Sequence, residues 1–318
     1  MICKVKSKNP QILSDIKSCI VFLIKDDPLD IANFNDSVRL LSKNVISILK
    51  TKCDLILFVE EGFNQLNLNL ADITNYQIIE VQLYDNNFNL DYASNYYPHP
   101  THGSGPIAYG HPGFSLGYRL MCRFFSGSIF KEEILGNYDY MMRLDCDSRI
   151  LTQFKMDPFL HMNKRGAVYG FIEGSVQFDN YKVSLGFNEV ASRYVRTYAS
   201  CVDKLRQIFF VKKYGIYYTN FEICYIPWFK STKYLNFFNF LDSHYGFITN
   251  RWGDALVRYY AVKSFLPPKK RIPIRGFVYQ HGAIYENSDK FFDVIKIKII
   301  LIISRMKHLI DRVGFLSK

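Results

Sequence analysis

Residues 140–150 read YMMRLDCDSRI, an apolar run from Tyr140 to Leu144 that ends in Asp145-Cys146-Asp147. Read as a buried strand, the run delivers two carboxylates, one residue apart, to the strand's end. Such a pair can hold a hard divalent cation through oxygen ligands, with a bound diphosphate supplying further oxygens. Aspartate is a poor strand former and is expensive to bury unpaired, so a cation gives the pair a reason to be there. A plain strand-to-loop transition with an Asp turn explains the tripeptide equally well. The rest of the chain has to decide.

Outward from this run, short apolar segments alternate with longer amphipathic or polar ones, the βαβ rhythm of a mostly parallel sheet flanked by helices. The strands expected are Cys19–Ile24, Asp54–Val59, Gln77–Leu83, Tyr140–Leu144, Ala167–Ile172 and Gly276–Gln280. Helical spacing of Val38, Leu41, Val45 and Ile48 predicts a helix over 31–49, with Asp36 and Ser37 as natural caps. A buried helix is expected over Met121–Phe130, leading into the acidic strand. Residues 92–117 are rich in Gly, Pro, His, Tyr and Ser and carry His99, His102 and His111. Their spacing matches no standard metal site, and a mobile lid over a site is the better reading of so long a loop.

At 318 residues the chain is long enough for one large α/β domain or two small ones, and with 48% hydrophobic and 22% charged residues its composition is that of a soluble globular protein. Seven scattered cysteines without a CxxC pair exclude zinc-ribbon spacing and any disulfide framework that uses all of them. No signal peptide is seen, and no segment reaches the roughly 18 apolar residues of a spanning helix. A cytoplasmic or peripherally membrane-associated protein is therefore expected. The net charge of +11 is concentrated late: from Lys263 to Lys318 there are twelve Lys or Arg against four Asp or Glu. Nucleic acid, an anionic membrane or a phosphorylated ligand are the partners such a charge can face. The tail, 291–318, reads as a basic amphipathic helix that packs on its own domain, lies on a membrane surface or forms a dimer contact.

Four further groups of residues bear on the carboxylates. Tyr118, Arg119 and Arg123 precede the acidic strand, and arginine forks suit phosphate oxygens. Glu222 sits among aromatic residues, where desolvation makes a carboxylate useful. Arg251-Trp252-Gly253-Asp254 forms a compact turn in which Asp254 is either functional or a helix cap. His281 follows a strand ending FVYQ, well placed as a further ligand or as a satisfied structural histidine.

Several blocks in one order carry a resemblance: IVFLIKD from Ile20, YRLMCRFFSG from Tyr118, YDYMMRLDCDSRI from Tyr138, VYGF from Val168, TNFEI from Thr219, FFNFLDSHYGFITNRWGDA from Phe237 and GFVYQH from Gly276. Over nearly all of the chain except the tail, it resembles the fungal α-1,2-mannosyltransferases of glycosyltransferase family 15. The resemblance implies a GT-A fold, a GDP-mannose donor, a Mn²⁺ cofactor and retention of anomeric configuration. Position by position it implies a metal-binding acid at Asp145, a metal-completing histidine at His281, and a nucleotide-site tyrosine at Tyr118. It likewise implies a carboxylate near the anomeric carbon at Glu222 and the aspartate of the Arg-Trp-Gly-Asp block at Asp254. The family has Glu and Pro where this chain has Asp145 and Cys146, so Asp147 is expected to share or take over the metal. The family's N-terminal membrane anchor and stem are not matched, although family members are Golgi type II membrane proteins.

The resulting expectation is a single GT-A catalytic domain over 1–290, with a nucleotide-binding part at about 15–150 and an acceptor part at about 151–290. It transfers a hexose, mannose by the resemblance, from a nucleotide-sugar donor to a glycan or glycoside acceptor. Arg123 assists at the diphosphate and Asp254 holds a sugar hydroxyl. Nucleic acid is not an expected partner; a peripheral membrane contact through the tail is one reading of its pattern. Two alternatives are a GT-A enzyme using another nucleotide-sugar donor, and a non-enzymatic basic module that binds nucleic acid or membrane.

Overall fold

The computed structural model describes residues 15–83, 115–179, 184–282 and 284–287. The long loop with its three histidines lies outside the described residues from 84 to 114, and the basic tail lies outside them as well.

Twelve strands are described: β1 (Lys17–Ile24), β2 (Lys52–Val59), β3 (Tyr76–Glu80), β4 (Tyr140–Leu144), β5 (Ser148–Ile150), β6 (Tyr169–Ile172), β7 (Gln177–Phe178), β8 (Gly215–Ile216), β9 (Phe221–Tyr225), β10 (Arg271–Ile274), β11 (Val278–His281) and β12 (Ile284–Asn287). Seven make the central sheet in the order β10-β6-β9-β4-β1-β2-β3. Within it β1, β2, β3 and β4 run parallel, as do β6 and β10, while β9 is antiparallel to both neighbours. A three-stranded sheet, β12-β11-β5, and the β7-β8 pair complete the set.

The central strands are buried on both faces, which is why they read as unbroken apolar runs rather than alternating ones. Along β1, Cys19 and Val21 enter one core while Ile20, Phe22 and Ile24 enter the other. Helix α1 (Pro28–Asn44) covers the second face through Ile31, Phe34, Val38 and Leu41. The Phe22 and Phe34 rings meet edge to face at 5.1 Å. Burial of each such ring contributes about 1.5–3 kcal/mol. The first face is covered by α2 (Leu116–Ser126), α3 (Phe187–Tyr198), α5 (Thr232–Asp242) and α6 (Asp254–Phe265), with α4 (Cys201–Phe210) lying outside them.

Most strand expectations hold within a residue or two; β5, β7, β8, β10 and β12 fall outside them, and so does the central β9. Its sequence, FEICY, carries a charge in the middle of a short run, and burial of that charge is possible only because a partner arginine arrives from α6. Helix α1 starts earlier than its apolar spacing implied: Asp27 is the cap, accepting from the Leu29 and Asp30 amides, and Pro28 occupies the first turn. Asp36 and Ser37 are interior to it. Helix α2 likewise starts at Leu116, capped by the Ser115 hydroxyl on the Tyr118 amide.

Candidate active site

The acidic tripeptide leaves the C-terminal end of β4, the edge where open α/β sheets bind ligands. Cys146 turns inward, buried among core residues with its thiol on the Leu23 carbonyl at 3.4 Å. The aspartates on either side are thereby turned outward. The turn is pinned by the Ser148 amide on the Asp145 carbonyl (2.9 Å), by Asp145 N–H on Ser148 Oγ (3.2 Å) and by Ser148 Oγ on the Asn220 carbonyl (3.1 Å). Tyr279 Oη closes the knot on Ser148 Oγ at 2.6 Å. In the β5–β11 register His281 faces Ser148, and its ring therefore reaches the carboxylates.

His281 Nε2 stands 3.1 Å from Asp147 Oδ1 and 3.6 Å from Asp145 Oδ2. Burial alone would lower its pKa, but the hydrogen bonds and charges of the two aspartates prevail and lift it to about 9. Asp145 is held down at about 2: burial works against ionisation, and the charges and hydrogen bonds of Arg143 and His281 outweigh it. As they stand, no three His, Cys, Asp or Glu side chains among the described residues are spaced to grip a metal ion; these three meet one another instead.

Beneath them lies Arg143, the one charge within β4 and fully buried. Its Nε and Nη2 donate to Asp145 Oδ1 at 3.1 and 3.0 Å, and its Nη1 donates to Asp254 Oδ2. The guanidinium carbon lies 3.5 Å from the centre of the Phe125 ring. One cation thus ties the β4 turn to the first residue of α6. Sequence reading passed over Arg143, although a lone arginine between apolar strand residues needs buried carboxylate partners, and that was the available signal.

These groups line a cavity of about 390 Å³ that brings together Tyr118, Asp145, Asp147, Asp254 and His281, five of the seven residues expected from the sequence. Arg143, Tyr218, Asn220, Arg251, Asp30 and Asp179 join them. Asp30 and Asp179 are distant in sequence from the acidic tripeptide, and nothing local marks them. Burial raises the Asp30 carboxyl above its usual range. The Arg251 guanidinium lies 5.8 Å from the Tyr118 ring centre, with Arg251 in the left-handed region at φ 56°.

Two expected residues are elsewhere. Arg123 is not at the cavity: its fork grips Asp242 of α5 through Nε and Nη2, both at 2.7 Å. The expectation of a diphosphate contact there gives way to a bridge between α2 and α5. Glu222 is fully buried, and both its oxygens are occupied by Arg258 of α6, at 2.8 Å from Nε and 2.9 Å from Nη2. It is the direct register partner of Arg143 across β4 and β9 and is not among the residues lining the cavity. A carboxylate so held is a counter-ion within the sheet, in place of the expected group beside an anomeric carbon.

Residues 105–293 match the profile of the family described as glycolipid 2-alpha-mannosyltransferase. The chain is 33% identical over 189 residues to the probable mannosyltransferase KTR2 of Saccharomyces cerevisiae, covering 53% of this chain and 44% of that one. It is 30% identical over 183 residues to O-glycoside alpha-1,2-mannosyltransferase homolog 3 of Schizosaccharomyces pombe, covering 54% and 48%. The chain thus spans about half the length of the curated relatives it matches. Among solved structures, core-mannan synthase A of Aspergillus fumigatus, in its Mn/GDP form, superposes with a TM-score of 0.69 at 20% identity, over 84% of this chain and 75% of that one. The mannosyltransferase Ktr4p of Saccharomyces cerevisiae gives 0.70 at 19% identity, over 85% and 72%. The fold is the expected GT-A fold.

Proposed function

This chain belongs to the glycolipid 2-alpha-mannosyltransferase family, and from that premise we propose that it transfers mannose from GDP-mannose to a sugar hydroxyl with a divalent cation, Mn²⁺, as cofactor. The observation that carries the proposal is the meeting of Asp145, Asp147 and His281 in one cavity at the C-terminal end of β4. Two carboxylates and one imidazole form a donor set that fits a hard to borderline divalent ion. Asp145, Asp147 and His281 would hold it. Bound there, the ion would neutralise charge that builds on a departing diphosphate.

The chain's other residues have definable tasks. Arg143 keeps Asp145 ionised and fixes its angle, so the carboxylate need not reorganise when a ligand arrives. Asp254, tied to Arg143 at the start of α6, lines the cavity, where its carboxylate can accept from a sugar hydroxyl. Tyr118 and Arg251 offer a ring and a guanidinium to the nucleotide side. Glu222 is assigned a positioning role: with Arg258 it fixes the packing of β9 against α6 and thereby the place of Arg143.

The test is GDP release from GDP-mannose with Mn²⁺, with and without simple mannosides, by the purified chain and by Asp145→Ala and Asp254→Asn. Release in the native chain and its loss in both variants is the expected outcome. A melting curve that UDP-sugars raise and GDP leaves unmoved would overturn the donor assignment.

A further inference from the structure

Helix α4 is unusual in what it leaves outside. Of its ten residues only Asp203 is buried, while Val202, Leu205, Ile208, Phe209 and Phe210 are exposed, Ile208 by 69% and Phe209 by 74%. Phe178 of β7, 61% exposed, extends the same apolar face: Lys212, just past the helix, lies 6.0 Å over its ring. A contiguous patch of this kind usually has an occupant.

Cations interleave with it. The Arg271 guanidinium lies 5.2 Å from the Phe210 ring, and Lys263 Nζ lies 5.4 and 5.7 Å from the Tyr259 and Tyr217 rings. Lys213 Nζ is 5.2 Å from the Tyr214 ring. Among the described residues none of Lys204, Lys212, Lys213, Lys263 or Arg271 forms an ion pair, since the nearby Asp203 is taken by Arg206 and Lys233. Arg271 is nine-tenths buried with its guanidinium beside the Tyr217 hydroxyl, so it forms the floor of the patch and not its rim. Cations held this close repel one another, as the charges of Arg271 and Lys212 do at Lys263, and an anion relieves that repulsion.

We propose that the α4 face, with Lys212, Lys213 and Lys263 around its C-terminal end, is a docking surface for an anionic lipid bilayer. Aliphatic and aromatic side chains enter the interface while the cations meet phosphate headgroups. Charge decides against two other occupants. A twofold self-contact would set the same cations against their copies. The chain's own tail after residue 290 carries six Lys or Arg against two Asp, so seating it here would oppose like charges. Docking is the mode the described residues allow, since none of their helices is long and apolar enough to cross a membrane. The proposal stands on this face alone and is independent of the sugar chemistry.

Vesicle flotation of the full chain tests it, with phosphatidylcholine alone and with phosphatidylcholine containing phosphatidylserine. Binding is expected only with phosphatidylserine and should weaken as salt is added. The pair Lys212→Gln and Lys213→Gln should lower the partition coefficient about thirtyfold, roughly fivefold for each cation. Phe209→Ser should lower it about tenfold or more, and because the residue is exposed its melting temperature should match the native chain. Ile208→Ser serves as a second apolar probe. Equal binding to both vesicles, no binding to either, or indifference to these substitutions overturns the proposal. So does a native dimer that Phe209→Ser dissociates, or binding that removal of residues 291–318 abolishes while Phe209→Ser leaves it intact.

Discussion

Replacing Glu222 by glutamine separates a positioning carboxylate from a nucleophile. Glu222 and Arg258 are both fully buried, joined by two hydrogen bonds of 2.8 and 2.9 Å. Arg258 has no route to water: its remaining donors go to the Phe125 carbonyl at 2.8 Å and to Tyr234 Oη, and the Phe229 ring lies 4.6 Å away. Glutamine keeps the shape of the side chain but leaves the guanidinium uncompensated. Breaking a buried pair from one side costs about 3–5 kcal/mol. At about 2–4 °C for each kcal/mol in a domain of this size, the melting temperature should fall by roughly 6–20 °C. Replacing both partners by apolar residues, Glu222→Leu with Arg258→Met, should restore most of that loss, because a well-packed apolar pair replaces a buried ion pair at little net cost. The assays are thermal and urea unfolding of each variant, together with Mn²⁺-dependent GDP release. A Glu222→Gln protein that melts with the native chain and has lost all turnover would refute the reasoning and return Glu222 to the reacting atoms.

Four other outcomes follow from the same geometry. Asp145→Asn and His281→Ala should each erase the stabilisation that Mn²⁺ gives in the presence of GDP, about 2.7 kcal/mol at a hundredfold excess over Kd, read as a melting shift. Arg123→Met should cost about 2 kcal/mol of stability, since the Asp242 side of its pair is partly solvated, while GDP affinity by titration calorimetry stays that of the native chain. Gly246→Ala would place a Cβ 2.3 Å from the Trp252 ring and should destabilise by about 1–3 kcal/mol in urea unfolding. Burial, helped by the charges of Arg271 and Lys212, lowers the Lys263 ammonium to about 8. Above that pH the unfolded chain holds more protons than the folded one, so stability should rise as pH climbs through about 8, and Lys263→Met should flatten that rise.

The sequence disclosed this site to the extent that its chemistry is local. Asp145 and Asp147 are visible because two acids at a strand's end have few structural motives, and the outward turn of both follows from an apolar neighbour at Cys146 that prefers the core. His281 and Asp254 are visible as polar residues at the boundaries of apolar runs. What stayed hidden is pairing over long separations. Nothing near Arg123 announces Asp242, and nothing near Glu222 announces Arg258, 36 residues on. In both cases the residue type suggested a ligand contact, and a buried counter-ion took the group instead. Desolvation made the difference, because a charge without access to water takes whichever opposite charge the fold brings within reach. Arg143 is the instructive case in the other direction. It is as deeply buried as Arg258, yet its partners are Asp145 and Asp254, which also face the cavity. The same physics that occupies both oxygens of Glu222 leaves Asp145 available to a ligand: its ionisation is fixed from below by Arg143, and one oxygen remains turned toward His281 on the cavity side.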